Sequence, residues 1–483
     1  MKLQSIIFIV AFLLFLNVLC VATTYLIFPG YLDHGEPGMA LISWRLLNGY
    51  PAYLDLTSPT LISNVYGPLT YSSHALSFWL FGKSILSGKV ISFLSAILIP
   101  VFVFFSQFNK GFKIACASAL LTSAIMLYLI PFSIWTRPES LMALLAVIAV
   151  WACNASDPNK LEYGKSILIA VVASMAMGMK LHAGIYFVPV VIFHCMRGNR
   201  GLKIFFVMVL IGLSVAIFPF FFSVFPIQDF WAWIYYHINK DSPSEFLFKY
   251  FRHGLIYFSA ILFYFSASRW AENTQPLAEK IYFFLFLACL IITLFPATKM
   301  GAGTYYFYPF LAILVDQIIR HLVKLKEHQM KNWCLFGVLI ATLVITSIPT
   351  QKRFFKALNW GEVTAVKAEI SHIMRVYQNH SIEMGFGSNI ATYPRTFYRT
   401  ILVMAGHPYT LDAAPAMELN MWKVPLPKKS LKMLKNCNTD IWLIPKDEEP
   451  FQMVGYYGAS TLDNSFRETF LDSYEKLISF EYF

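Results

Sequence analysis

Ser5-Ile-Ile-Phe-Ile-Val-Ala-Phe-Leu-Leu-Phe-Leu-Asn-Val-Leu-Cys-Val-Ala-Thr-Thr-Tyr-Leu-Ile-Phe28 follows Met1-Lys2 and carries no charged side chain. As a helix rising about 1.5 Å per residue, such a stretch spans the ~30 Å hydrocarbon layer of a bilayer. It is longer than the roughly 7–15 apolar residues of a secretory leader, so it predicts a retained membrane helix. Further apolar runs follow near 84–108, 112–131, 139–154, 164–179, 182–196, 202–225, 251–268, 280–296, 305–322 and 333–349. Together they predict an α-helical polytopic membrane protein with about eleven transmembrane helices.

Composition agrees. Of 483 residues, 57% are hydrophobic and 13% charged, with 45 Phe, 26 Tyr and 11 Trp. Soluble chains carry about 25% charge, so an ordinary soluble globule is excluded, as are disorder, collagen and coiled coil. The net charge of +11 is scattered through short loops between apolar runs. That distribution is what orients membrane helices, and it calls for no nucleic-acid partner. The seven cysteines form no CxxC pair, so neither a disulfide framework nor a zinc site is predicted.

With Met1 cytoplasmic, the basic loops 109–113, 197–203 and 320–331 fall on the cytoplasmic side, as the positive-inside rule requires. The opposite face then receives the first outer loop 29–83, the turns 135–139 and 178–182, the loop 225–250, the turn 298–304 and everything after Pro349. Residues 1–350 form the membrane domain. Residues 351–483, mixed in composition and without a spanning run, predict a small soluble extracytoplasmic α/β domain, periplasmic if the membrane is a bacterial inner membrane. Its expected helices are 363–377, 396–405 and 428–435, and its expected strands 382–386 and 439–445.

Chemistry is therefore sought on the outer face. The first outer loop opens Tyr31-Leu-Asp-His-Gly-Glu-Pro-Gly38. Pro37 suits the first turn of a helix running to about Asn48 and stopping at Gly49. Glu36 then lies at a helix N-terminus, where the dipole favours its ionised form, and can act as general base toward an arriving hydroxyl. Helix capping is the plainer role for Glu36, and turn formation for Asp33 in Asp-His-Gly. Arg137, Lys180 and Lys299 each stand at a span end on the same face. Singly they read as snorkelling residues. Converging, they can bind a phosphate or diphosphate at headgroup depth by charge-assisted hydrogen bonds.

The order of motifs along residues 5–350 is Gly35-Glu36, Gly49, Tyr66-Gly-Pro-Leu-Thr-Tyr71, Arg137-Pro-Glu139, Lys180, then Lys299-Met-Gly301 with Tyr305 and Tyr306. It resembles the multi-spanning GT-C glycosyltransferases, in the family 39-like branch of the protein O-mannosyltransferases and the aminoarabinose transferase of lipid A. The resemblance implies that residues 1–350 are a GT-C catalytic domain. It implies an enzyme that moves a sugar from a polyprenyl-phosphate carrier to an envelope glycan, lipid or protein on the extracytoplasmic face, usually with inversion. In that reading Arg137, Lys180, Lys299 and His182 meet the donor phosphate, and Glu36 deprotonates the acceptor. Where the family has Asp before the Glu this chain has Gly35, with Asp33 the nearest, so either carboxylate or both fit the role of base.

Tyr66, Glu139, His237 and Tyr306 are candidates for the substrate cleft, with an interfacial aromatic belt as the plainer account of His237. Arg252 and His253 extend that set. No metal ligand set is evident, although a divalent metal remains compatible with the chemistry, and no other cofactor is implied. The competing classes are a transporter or lipid flippase and a non-catalytic envelope-assembly subunit. Charge at span ends and the lack of a visible repeat favour the enzyme.

Overall fold

The computed structural model describes residues 3–62, 66–156, 162–197, 201–239, 251, 255–270, 276–299, 301–324, 329–455, 458 and 460–483. Arg252 and His253 lie outside the described residues. The protein is mostly helical. Among the described residues six helical stretches are long and apolar enough to cross a bilayer: Gln4–Ile27, Ile85–Lys110, Gly201–Phe221, Leu277–Ala297, Thr304–Val323 and Lys331–Val376. The remaining predicted spans fall on shorter apolar helices, Phe112–Tyr128, Pro138–Asn154, Tyr163–Met177, Leu181–Arg197 and Leu255–Phe265. The chain is an integral membrane protein.

Prolines account for several differences from the expected ends. The run expected over 112–131 stops as a helix at Tyr128, ahead of Pro131, which lacks an N–H and disfavours helix in the residue before it. The run expected from 305 begins as a 3-10 turn, Thr304–Phe310, containing Pro309, and becomes α-helical only over Leu311–Lys324. The last expected span instead passes through Pro349 within a helix Gln329–Ala357.

The chain divides into two compact units. The first comprises Met1–Leu26, Ser92–Pro219 and Asp241–Lys356. At its centre the helix Leu311–Lys324 is buried along most of its length and packs against Phe112–Tyr128, Pro138–Asn154 and Ser259–Trp270. Close approach is possible because Ala115, Ala117, Ala124, Ala143 and Ala149 are fully buried, and small side chains let membrane helices meet backbone to backbone.

At the end of this unit away from Pro138 lies a buried polar network that the sequence reading passed over. The Asp316 carboxylate accepts from Asn154 Nδ2 at 2.8 Å, Tyr282 at 3.3 Å, Gln107 Nε2 at 3.5 Å and Arg320 Nε at 2.7 Å. Arg320 also donates to the Asn154 side-chain oxygen. Buried charges persist in apolar surroundings only when satisfied in this way.

The second unit comprises Ile27–Ile91, Phe220–Lys240 and Ala357–Phe483. This unit groups residues 27–91 with those from 357 onward. The joint is a parallel bridge in which Leu61 N–H donates to the Thr410 carbonyl at 2.7 Å and Asp412 N–H to the Leu61 carbonyl at 2.9 Å. An apolar cluster including Tyr31, Phe78, Trp233, Phe451 and Phe466 forms around it.

The expected strands shorten to Ile382–Met384 and Ile441–Leu443, paired in parallel as a two-stranded sheet. Gly385 ends the first, its missing Cβ leaving room for Ile444 and Phe451, and Pro445 stops the second soon after. Helices Trp360–Val376, Arg399–Ala405 and Lys428–Lys435 stand where helices were expected, and Ala413–Met421 and Asn464–Ser473 are additional.

Candidate functional site

In the first unit, Pro138 opens the helix Pro138–Asn154 because the N–H it lacks has no partner at a first helical position. Arg137, just before it, is extended, with φ −141° and ψ 164°, and its side chain therefore leaves the helix axis. The guanidinium lies 4.4 Å from the Trp135 ring centroid and 4.5 Å from that of Tyr305, and its Nη2 donates to the Tyr305 hydroxyl at 3.1 Å. The Tyr305 hydroxyl in turn donates a hydrogen bond to the Gly301 carbonyl at 2.8 Å.

Lys180 approaches the same aromatic pair from another helix end, with its ammonium 4.9 Å from the Tyr305 centroid and 4.7 Å from that of Tyr306. It also donates to Glu139 Oε1 at 2.5 Å, while Trp135 Nε1 donates to Glu139 Oε2 at 3.1 Å. Glu139, a cleft candidate by sequence, is thus a fully buried counter-ion.

His182, half-buried, stacks on Tyr306 with centroids 4.4 Å apart, and its Nε2 lies 3.1 Å from the Tyr186 hydroxyl. Lys299 is buried two residues before Gly301, with its ammonium 5.3 Å from the Phe295 centroid. Arg137, Lys180 and Tyr306 therefore gather around Tyr305, His182 stacks on Tyr306, and Lys299 belongs to the turn that receives the Tyr305 hydroxyl. Lys180 pairs with the Glu139 carboxylate, while Arg137 lies on the rings of Trp135 and Tyr305. Tyr305 was quoted in the Lys299-Met-Gly301 motif, but nothing in the sequence signalled that the side chains of Arg137 and Lys180 meet on its ring.

The second unit holds the carboxylates. Glu36 is the second residue of the helix Gly35–Leu47 and is wholly buried. Its Oε1 accepts the N–H groups of Leu32 at 3.0 Å and Asp33 at 2.9 Å, and so fixes the turn leading into the helix. Asp33 Oδ1 accepts the Gly35 N–H at 2.9 Å, and Oδ2 lies 3.5 Å from His34 Nδ1. The Asp33 side chain keeps 22% of its surface exposed against none for Glu36, which decides which of the two solvent or a substrate reaches.

Lys89 braces the same turn. Almost fully buried, it donates to the Phe28 carbonyl at 2.7 Å, lies over the rings of Phe28 and Tyr31, and feels the Glu36 charge. Burial and then Glu36 push the Tyr31 hydroxyl well above the ordinary tyrosine range. Lys89 was legible as a lone cation four residues inside an apolar helix, a position that marks function or pairing.

Tyr66 is buried beside Tyr53, Tyr71 and Phe230, and its carbonyl accepts the Tyr53 hydroxyl at 2.7 Å, a packing role. His237 is half-buried in the last turn of the helix Ile227–Ile238. Among the described residues no group of three or more His, Cys, Asp and Glu side chains assembles as a metal-ligand set.

No family model matches the chain, and no curated protein matches it in sequence. Its fold is similar to those of solved structures. In particular it matches ArnT from Cupriavidus metallidurans bound to undecaprenyl phosphate, at TM-score 0.56 and 13% identity, over 90% of this chain and 93% of that one. The apo state of that ArnT matches at TM-score 0.57 and 14% identity, over 88% and 90% of the two chains. An oligosaccharyltransferase of Archaeoglobus fulgidus, in complex with zinc and sulfate, aligns at TM-score 0.34 and 12% identity over 86% of this chain and 56% of that one, a level that carries no argument. The likeness to ArnT at these identities is one of fold.

Proposed function

We propose that the chain moves a sugar from a polyprenyl-phosphate carrier to an acceptor hydroxyl on the extracytoplasmic face of a bacterial inner membrane, by inverting single displacement. The observation that carries this reading is the pair of cations, Arg137 and Lys180, held on the rings of Tyr305 and Tyr306 with a single carboxylate among them. A planar guanidinium and an ammonium at the mouth of an apolar helix bundle suit a phosphate whose lipid tail lies between helices. The fold likeness to an ArnT that holds undecaprenyl phosphate supports the same donor class.

In this reaction the acceptor oxygen attacks the anomeric carbon from the face opposite the phosphate. The bond from that carbon to the phosphate oxygen breaks, and the polyprenyl phosphate leaves with the electron pair. Arg137 and Lys180 stabilise the charge growing on it, with Lys299 and His182 completing the phosphate surroundings. The acceptor proton passes to Asp33, the carboxylate of the 33–36 turn that keeps an exposed surface, while Glu36 holds the turn. The acceptor is an envelope glycan, lipid or protein.

The test is transfer of radiolabel from a panel of polyprenyl-phosphate sugars to a membrane extract by purified wild type, Arg137→Ala and Asp33→Asn. Transfer by wild type that collapses in both variants supports the reaction and its two sites. A folded wild type that consumes no donor overturns the enzyme and moves a transporter, flippase or assembly role ahead.

A further inference from the structure

Lys423-Val-Pro-Leu-Pro-Lys-Lys-Ser-Leu-Lys-Met-Leu-Lys435 holds five lysines and no acid. All five are exposed, and among the described residues none has a carboxylate within 4 Å. Lys428, Lys429, Lys432 and Lys435 share the outward side of the helix Lys428–Lys435, while Ser430 and Leu434 on the other side are buried. The helix is fixed to the outer loop by the Ser430 hydroxyl, which donates to the Pro59 carbonyl at 2.9 Å. Lys429 acts electrostatically on the exposed Asp55 of that loop.

Lys423 stands just past the end of the helix Ala413–Met421 at φ +56°, a left-handed position where glycine is the ordinary residue. A lysine kept there is a strained backbone at a charged surface. It lines a cavity of about 270 Å³ with Leu61, Leu419, Asn420, Leu426 and Asp463. That volume is close to the lower end of the ~300–1,000 Å³ of small-molecule sites. The Asp463 carboxylate in the wall is occupied as a helix cap, accepting the Ser465 N–H at 2.8 Å.

We propose that the Lys423–Lys435 surface and its adjoining cavity bind a polyanionic glycan, bearing carboxylates or phosphates, as the acceptor of the transfer. A membrane is the less suitable occupant, because a helix that enters a bilayer interface needs a free apolar face and the apolar side of this one is packed. A row of unpaired cations instead raises the local concentration of an anionic polymer and fixes its course over the surface. That the bound glycan is the acceptor rests on the glycosyl-transfer reading. The binding itself does not.

Binding is measured on the purified full chain in detergent with fluorescent polygalacturonate, phosphomannan and neutral dextran as probes, beside vesicles of phosphatidylglycerol. The expected result is salt-sensitive binding of an anionic glycan and none of dextran. Replacing all five lysines by Gln lowers that affinity at least about tenfold, whereas replacing them by Arg holds it within about twofold. Unchanged thermal melting of both variants shows that only the surface has altered. Equal binding of dextran, an unaffected Gln variant, or binding of the vesicles alone overturns the proposal. None of these measurements needs a donor, so their failure is distinct from failure of the transfer reaction.

Discussion

Lys180 and Glu139 form a buried ion pair, with Nζ and Oε1 2.5 Å apart and both side chains at most 7% exposed. The lysine serves two neighbours, its counter-ion and the rings of Tyr305 and Tyr306, so stability and phosphate binding can be separated by mutation. Glu139→Gln leaves an uncompensated buried cation. The expected loss is about 3–5 kcal/mol, read from denaturant unfolding in detergent. The double variant Glu139→Gln/Lys180→Met recovers most of that stability while donor binding stays lost. A double variant that binds donor normally would remove Lys180 from the phosphate site.

Tyr305→Phe deletes the hydroxyl that accepts from Arg137 and donates to the Gly301 carbonyl, but keeps the ring beneath both cations. Donor affinity should fall about tenfold, the weight of a hydrogen bond to a charged group, and Tyr305→Ala should cost more because the ring contacts go as well. Titration with a polyprenyl phosphate checks both variants. Equal losses would mean that the ring contributes nothing.

Glu36 and Asp33 differ in what an amide does to them. In Glu36→Gln the side-chain carbonyl can still accept the N–H groups of Leu32 and Asp33, so the turn persists and transfer falls by less than about tenfold. Asp33→Asn removes the base, with an expected fall of roughly 10²–10⁴ in kcat. The reverse ranking would assign the base to Glu36. Lys89→Met should lower stability together with transfer, because the Phe28 carbonyl loses its donor.

Glu383 gives a pH signature. Burial raises its carboxyl above the ordinary glutamate range, although Thr410, Leu411 and Thr439 all donate to it. Between the unfolded value and the raised folded value the native chain holds the extra proton. The stability contributed by this group is therefore complete below the unfolded value and declines as pH rises to the folded one. Melting temperature followed against pH should show this decline in wild type, and Glu383→Gln should flatten it.

Orientation is checked by fusing a reporter enzyme that is active only outside the cytoplasm. Activity is expected after Phe483 and silence at Asn199. The opposite pattern would move the Arg137 and Asp33 ends of the chain to the cytoplasm.

Much of the membrane architecture was legible because an apolar run of spanning length has few alternatives in water. Arg137 was legible too, since Pro138 fixes where its helix begins. The pairing of Glu139 with Lys180 was not, because 41 residues separate them and only packing of two helix ends brings them together. Asp316 was hidden in an average, a single charge hardly lowering the hydropathy of a long window, and Arg320 read as the start of a basic loop although it ends the helix Leu311–Lys324. The four-residue spacing of Asp316 and Arg320 was nonetheless a readable sign of a pair on one helical face. The strands came out shorter than read because Gly385 and Pro445 interrupt stretches whose apolar content alone would continue.

The second compact unit is drawn from three stretches of chain, and its bridge joins Leu61 to Leu411. During synthesis the stretch that bears Asp33 is therefore made long before the residues that pair with it exist. Until Leu411 is made, Leu61 and its aromatic neighbours lack the partners they have in the folded chain, and a stretch left in that state is open to proteolysis. A late truncation would consequently be seen as disappearance of the protein rather than as an inactive one. Residues 357–483 should accordingly be exchanged only together with residues 27–91, with which they share a compact unit.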